Sequence, residues 1–279
     1  MTRPAYDLAG KVVLITGGNG GIGSATAREL LLRGAKVAIV DLDPKTPELA
    51  TALSPTGAIG LVGDVRDLAS LESAVTQTVE HFGHLDIAIA NAGLLARAAT
   101  LRTTPAAAVE NTLAVNVGGV VNTVAATVDQ VIANQGQIVV ISSVFAFING
   151  MGSIPYAMSK AAVEQLGRGL RIELADHGVS VTTAYFSLVD TDMVRHGVDE
   201  DPVVIELLST LPKSMLKRVT PQSAAIAIAD GLERRTVRVV HPSRWRIMSA
   251  LRGLVGFAFD DRLVKDRKIL DILARLDAR

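Results

Sequence analysis

Apolar positions in this chain fall into short continuous runs, separated by longer segments with helical spacing. The first run covers residues 11–16, Lys11-Val12-Val13-Leu14-Ile15-Thr16. Uninterrupted apolar runs of that length belong to strands buried on both faces of a parallel sheet. Glycines follow at once, then the helix formers of residues 23–33, a stop at Gly34, and a second strand over 36–40 that ends at Asp41. The alternation predicts further strands over 58–62, 85–90, 137–141 and 179–185, with helices over 68–82, 105–133 and 153–176 between them.

Such alternation specifies an α/β class: a single Rossmann-type doubly wound parallel sheet of about seven strands, with helices on both faces. After Asp190 the pattern loosens. Residues 193–217 mix Gly197, Pro202 and Pro212 with short apolar clusters, as a substrate lid does. Thr220-Pro221 caps a helix over 221–234, a final strand covers 236–240, and 244–279 reads as a helical C-terminal tail. No linker or repeat divides the chain. One dinucleotide-binding domain over 1–243, including the lid, with 244–279 as its extension, is therefore the expected organisation.

Composition narrows the setting. Of the 279 residues 49% are hydrophobic and 20% charged, with 28 basic and 28 acidic side chains. That balance gives no reason to expect nucleic acid as a partner. Without cysteine there is no disulfide framework, the start Met1-Thr2-Arg3-Pro4-Ala5-Tyr6-Asp7 lacks the apolar core of a leader, and a cytoplasmic protein is expected. The apolar stretch 247–259 is broken by Arg252 and is too short to span a bilayer, and the basic tail reads as a solvated face rather than a lipid anchor. His81, His84, His177, His196 and His241 lack ligand spacing, so no metal site is expected. The helices over 105–133 and 153–176 are apolar beyond one face. A homo-oligomer, dimer or tetramer, is expected, the alternative being that the tail folds over those faces.

The candidate chemistry lies at strand ends. Thr16-Gly17-Gly18-Asn19-Gly20-Gly21-Ile22-Gly23 joins the first strand to the first helix, where glycines permit a tight turn and the helix N-terminus attracts phosphates. Asp41 is placed to accept from adenosine ribose hydroxyls and to repel a 2′-phosphate, and Leu42 follows where a basic residue would serve a phosphate. NAD is thus favoured over NADP, with Lys45 and Arg66 as the cations that would argue otherwise. Asp64-Val65 and Asn91-Ala92-Gly93 end two further strands. Tyr156 and Lys160 stand four apart, on one face of a helix, so the ammonium is expected to ease proton loss from the phenol.

Together these residues resemble the short-chain dehydrogenase/reductase family, whose order and spacing match from about residue 8 to 240. The resemblance implies that Tyr156 is the catalytic acid/base and that Ser143 hydrogen-bonds the substrate oxygen, with Ser142 the competing serine. Lys160 would lower the phenol pKa and bind the nicotinamide ribose, and Asn116 would hold a water linking Lys160 to solvent. For the cofactor it implies Gly17, Asn19, Gly21, Ile22, Gly23, Asp41 and Leu42, then Asp64, Val65, Asn91, Ala92 and Gly93, with Tyr156, Lys160, Val189 and Thr191 at the nicotinamide. One departure is visible. Phe186-Ser187 stands where the family usually has Pro-Gly, before the segment that holds the nicotinamide amide.

The expected function is an NAD-dependent oxidoreductase that interconverts a secondary alcohol and a ketone. Val144, Phe145, Phe147, Ile148, Met151, Met193, Leu207 and Leu208 suggest a hydrophobic small-molecule substrate. The alternatives are a reductase or isomerase of another group on the same scaffold, or a catalytically silent NAD-sensing protein.

Overall fold

The computed structural model describes residues 5–278, so Met1–Pro4, part of the expected leaderless start, and Arg279 lie outside the described residues. Strands β1 (Val12–Thr16), β2 (Lys36–Asp41), β3 (Ala58–Val62), β4 (Ile87–Ala90), β5 (Gln137–Ser143), β6 (Ser180–Phe186) and β7 (Arg238–His241) form one sheet in the order β3-β2-β1-β4-β5-β6-β7. Every pairing is parallel. The chain builds outward from β1 to β3, returns to β4 beside β1, and then builds outward the other way.

Both sheet faces are covered, which is why the strands read as unbroken apolar runs. Val13 and Ile15 point into a core shared with α1 (Gly21–Leu32), α2 (Thr46–Leu53) and, from later in the chain, Ala224 and Ile228. Val12 and Leu14 point the other way, onto Leu71 and Val75 of α3 (Leu68–Phe82). On that second face lie also α4 (Ala106–Leu113), α5 (Gly119–Ala133) and α6 (Ile154–Glu173). Local signals set the ends: Asp67 accepts the Ala69 amide at 3.0 Å to start α3, and Gly83 closes it at φ +92°.

The single helix expected over 105–133 is interrupted. Between α4 and α5 the turn Ala114–Gly118 is π-helical and carries Asn116 at its centre. Helix α2 was not expected; Pro47 falls in its first turn, where proline is tolerated. Strands β5 and β6 each run past their expected ends, to Ser143 and Phe186, so both residues stand at the sheet's edge in register with one another.

Beyond β6 come α7 (Asp192–Val194), the π-helical turn Arg195–Asp199, α8 (Pro202–Ser209) and α9 (Lys213–Leu216), then α10 (Pro221–Glu233) capped by Thr220. The tail forms α11 (Trp245–Leu263) and α12 (Arg267–Asp277). Ile272 and Leu276 of α12 are buried against Leu207 of α8 and Met151, so the tail covers the excursion. It leaves Val121 of α5 and Met158 of α6 exposed.

Candidate active site

The carboxyl ends of β1, β2, β4, β5 and β6 open into one cleft of about 620 Å³, at the point where the strand order reverses. The glycine turn forms its floor. Gly17 has φ +65°, and a Cβ there would lie 2.7 Å from the Ala92 Cα. A Cβ on Gly23 would lie 2.3 Å from the Gly17 carbonyl oxygen, so neither position admits a larger residue without moving backbone. Helix α1 begins at Gly21 with no side-chain cap, which leaves its first amides and its dipole for an anion.

Each expected cofactor residue has a definite place. Gly17, Asn19, Gly21 and Ile22 line the cleft, whereas Gly23 lies behind the turn, where its role is close packing. Asp41 accepts the Asn19 amide at 3.0 Å, and Asn19 Nδ2 donates to Thr46 Oγ1 at 2.8 Å. Leu42 is exposed at the rim. Asp64 pairs with Arg66 at 2.6 Å, and that hydrogen-bonded guanidinium holds the carboxyl below its usual range. Val65 lines the cleft with its carbonyl held by Asn122 Nδ2 at 2.9 Å. Asn91 lines the cleft with Ala92 and Gly93, yet its Nδ2 donates to the carbonyls of Thr16 and Gly17 at 3.0 and 2.9 Å. Its amide therefore fixes the turn. Val189 and Thr191 line the opposite wall, Val189 tied to Val219 by a β-bridge. A long cleft over uncapped amides, closed at one end by a carboxylate, fits a dinucleotide.

At the other end stand Ser143, Tyr156 and Lys160. Ser142 donates to the Lys160 carbonyl at 2.8 Å, so its hydroxyl is engaged with the α6 backbone. Ser143 instead hydrogen-bonds Tyr156, accepts the Phe145 amide at 3.2 Å and donates to the Phe186 carbonyl at 3.3 Å. Lys160 is buried with its ammonium 5.5 Å from the Tyr156 ring centre, and donates to the Ile141 carbonyl at 3.1 Å.

The electrostatics differ from the sequence expectation. Burial pushes the Tyr156 phenol up to about 12, opposed only by the hydrogen bond from Ser143, and burial pushes Lys160 down to about 8. Desolvation outweighs the cation at 5.5 Å because both groups have left water.

Asn116 lies just outside the cleft wall. Its Oδ1 accepts the Leu94 amide at 2.8 Å, while Nδ2 donates to the Leu94 carbonyl at 2.9 Å and to Ser159 Oγ at 3.0 Å. The side chain thus clasps the loop after β4 to α6 and has little capacity left for water.

A second, apolar cavity of about 130 Å³ meets the cleft at Ser143, Tyr156, Ser187, Met193 and Val194. Val144, Phe145, Ile148, Met151, Met193, Leu207 and Leu208 line it as expected, with Trp245 added from the tail. Phe147 does not line it, and packs behind on Tyr185 with ring centres 4.8 Å apart. Sequence reasoning passed over Leu94, Val194 and Trp245. Only Trp245 carried a signal, as an aromatic opening an apolar tail.

Comparison with known proteins fits this geometry. A family model described as short chain dehydrogenase matches residues 11–201. The chain belongs to that family. Its relatives include Oxidoreductase UcpA of Escherichia coli (strain K12), 33% identical over 219 residues that cover 75% of this chain and 83% of the relative. Another is 2-(R)-hydroxypropyl-CoM dehydrogenase of Xanthobacter autotrophicus, 28% identical over 79% of this chain and 91% of that protein. Among solved structures, levodione reductase superposes with a TM-score of 0.75 at 26% identity, covering 83% of this chain and 95% of that one. Family membership makes the chain an oxidoreductase of a nicotinamide-binding type. No helix among the described residues is long and apolar enough to cross a membrane.

Proposed function

We propose that this short-chain dehydrogenase interconverts a hydrophobic secondary alcohol and a ketone, with NAD as its cofactor and Tyr156 as acid/base. The observation that carries the reading is the junction of cleft and apolar cavity at Ser143 and Tyr156, with the Lys160 ammonium behind the phenol. When bound, the nicotinamide ring accepts or delivers the hydride.

The chain's own residues do the rest. In the oxidising direction Tyr156 takes the hydroxyl proton, and Ser143, already hydrogen-bonded to the phenol, steadies the substrate oxygen. A phenol held near 12 keeps its proton at neutral pH and cannot take another, so a charged Lys160 has to favour the phenolate for Tyr156 to accept the substrate proton. Lys160, which lines the cleft, would also bind the nicotinamide ribose. The Asn116 side chain, engaged by Leu94 and Ser159, fixes the wide turn beside Lys160. Gly17, Asn19, Gly21 and Ile22 would hold the pyrophosphate, Asp64, Val65, Asn91, Ala92 and Gly93 would flank the adenine side, and Val189 and Thr191 would hold the amide. Asp41 selects NAD, and Arg66 offers no free cation for a 2′-phosphate because Asp64 binds it.

Residues 193–217 act as the lid of a single 1–243 domain, and the 244–279 tail reinforces it through contacts of α12 with α8. Exposed Val121 and Met158, on α5 and α6, support a homo-oligomer, and a composition free of cysteine supports a cytoplasmic enzyme. A panel of aliphatic and cyclic secondary alcohols, followed by NADH absorbance, tests the reading. Absence of NAD reduction across the panel refutes it.

A further inference from the structure

The apolar cavity has an unpartnered polar group near each end. Ser187, shared with the cofactor cleft, has a buried Oγ without a hydrogen-bond partner among the described residues. Trp245, at the start of α11, has a buried Nε1 in the same condition. Buried polar groups are nearly always satisfied by protein, water or ligand, so an open one beside a binding cavity is a place where a ligand can supply the partner.

The two are not equivalent. A serine hydroxyl donates and accepts, and Ser187 borders both cavities, so cofactor or substrate meets it equally well. An indole N–H only donates, and Trp245 does not border the cofactor cleft. Trp245 does border both the 130 Å³ cavity and a further chamber of about 60 Å³ behind Phe145 and Met215. Val144, Phe145, Met215 and Met248 pack around it, and its Nε1 has no hydrogen-bond partner among the described residues.

Resting on the alcohol–ketone reading, we infer that Trp245 is a specificity-determining residue, whose indole N–H receives a second acceptor oxygen of the substrate, remote from the reacting carbon. The substrate class is then a compact, otherwise apolar ketone or alcohol with two oxygens at opposite ends. A cavity near 130 Å³ is the size that holds a single six-membered ring. The flexible Met215 and Met248 side chains beside the indole let the far end accommodate a substituent.

The test compares ketones that differ by one oxygen: a cyclohexane diketone with carbonyls across the ring against cyclohexanone, and cyclohexanone carrying an acetyl group across the ring against its isopropyl isostere. The wild type is expected to favour the dioxygenated member of each pair by about tenfold in kcat/KM. Trp245→Phe is expected to bring both pairs within about twofold, the loss falling on the dioxygenated member of each pair. Trp245 is the chain's single tryptophan, so emission from NAD-saturated protein reports the contact directly, shifting to the red with the diketone and not with cyclohexanone. A preference that survives Trp245→Phe, an equal loss on both members of a pair, or emission indifferent to the second oxygen overturns the inference. If neither member of a pair reacts in wild type and a broad alcohol panel is also silent, the alcohol–ketone reading fails instead, and the emission shift still decides whether Trp245 binds the second oxygen.

Discussion

Glu164 and Arg252 form a two-point ion pair, with guanidinium nitrogens 2.6 and 2.7 Å from the two carboxylate oxygens. Glu164 lies one turn beyond Lys160 on α6, and Arg252 lies on α11, so the pair fastens the tail to the helix that carries Tyr156. Arg252 also stacks on Phe147 at 5.1 Å, and Glu164 hydrogen-bonds Tyr185.

Breaking this pair from one side leaves a buried carboxylate without its cation. Loss of one partner of a fully buried pair costs 3–5 kcal/mol, but Arg252 is 30% exposed, so Arg252→Ala is expected to destabilise by about 2 kcal/mol. Urea unfolding measures it. The Glu164→Gln, Arg252→Gln double variant should lose less than the two single changes added together, and strict additivity would show that the pair contributes no coupling.

Tyr156→Phe removes the proton acceptor and little else, because the ring keeps its edge-on packing against Phe145 at 5.4 Å. Turnover should fall by about a thousandfold or more, while the NAD dissociation constant stays within about threefold. Substantial residual turnover would remove Tyr156 from the acid/base role.

Lys160 makes a pH-dependent prediction with a definite sign. Its folded pKa, about 8, lies below the ordinary 10.5, so between those values the unfolded chain binds more protons and stability rises with pH. Below pH 8 the whole penalty of a buried charge is present. Lys160→Met removes that penalty and loses the bond to the Ile141 carbonyl, for a net gain of about 2 kcal/mol at pH 7. The gap to wild type should narrow from pH 8 to 10.5. Tyr156, raised to about 12, acts oppositely only above pH 10, where the folded state keeps a proton the unfolded chain loses. Thermal unfolding of both proteins across this range, together with loss of turnover in the variant, checks the prediction; a less stable variant at pH 7 contradicts it.

How much of this was legible beforehand depended on whether a residue announces itself locally. Helix α3 was readable to its ends because Asp67 and Gly83 are cap residues, and β1 because both of its faces are buried. The π-helical turn at Asn116 was not readable, since an inserted residue leaves no mark in a segment already apolar on several faces. The family resemblance pointed to Ser143 over Ser142, and the bond from Ser142 to the Lys160 carbonyl gives a physical reason. The acidity of Tyr156 was misjudged because residue spacing reports a neighbouring cation and says nothing of how much water both groups lose. Trp245 showed itself only as an aromatic opening an apolar tail; its place in the cavity was not readable because the tail's path over the lid is a tertiary fact.

The carboxylate of Asp41 decides the last prediction, which concerns cofactor choice. It is fixed in the cleft by the Asn19 amide at 3.0 Å, so it cannot easily turn from a 2′-phosphate without opening the glycine turn. Like charges forced together cost several kcal/mol; Arg66 is held by Asp64, and Lys45 does not line the cleft. Wild type should therefore favour NAD over NADP by at least about tenfold in kcat/KM. Asp41→Ser with Leu42→Arg removes the repulsion and supplies a guanidinium at the exposed rim, and is expected to reverse the preference. Asp41→Ser alone should only erase it, because it removes a penalty without adding a contact. The readout is kcat/KM for both cofactors with one alcohol. Equal or better use of NADP by wild type would mean that Asp41 swings clear despite its bond to Asn19, and cofactor choice would then have to rest on another group.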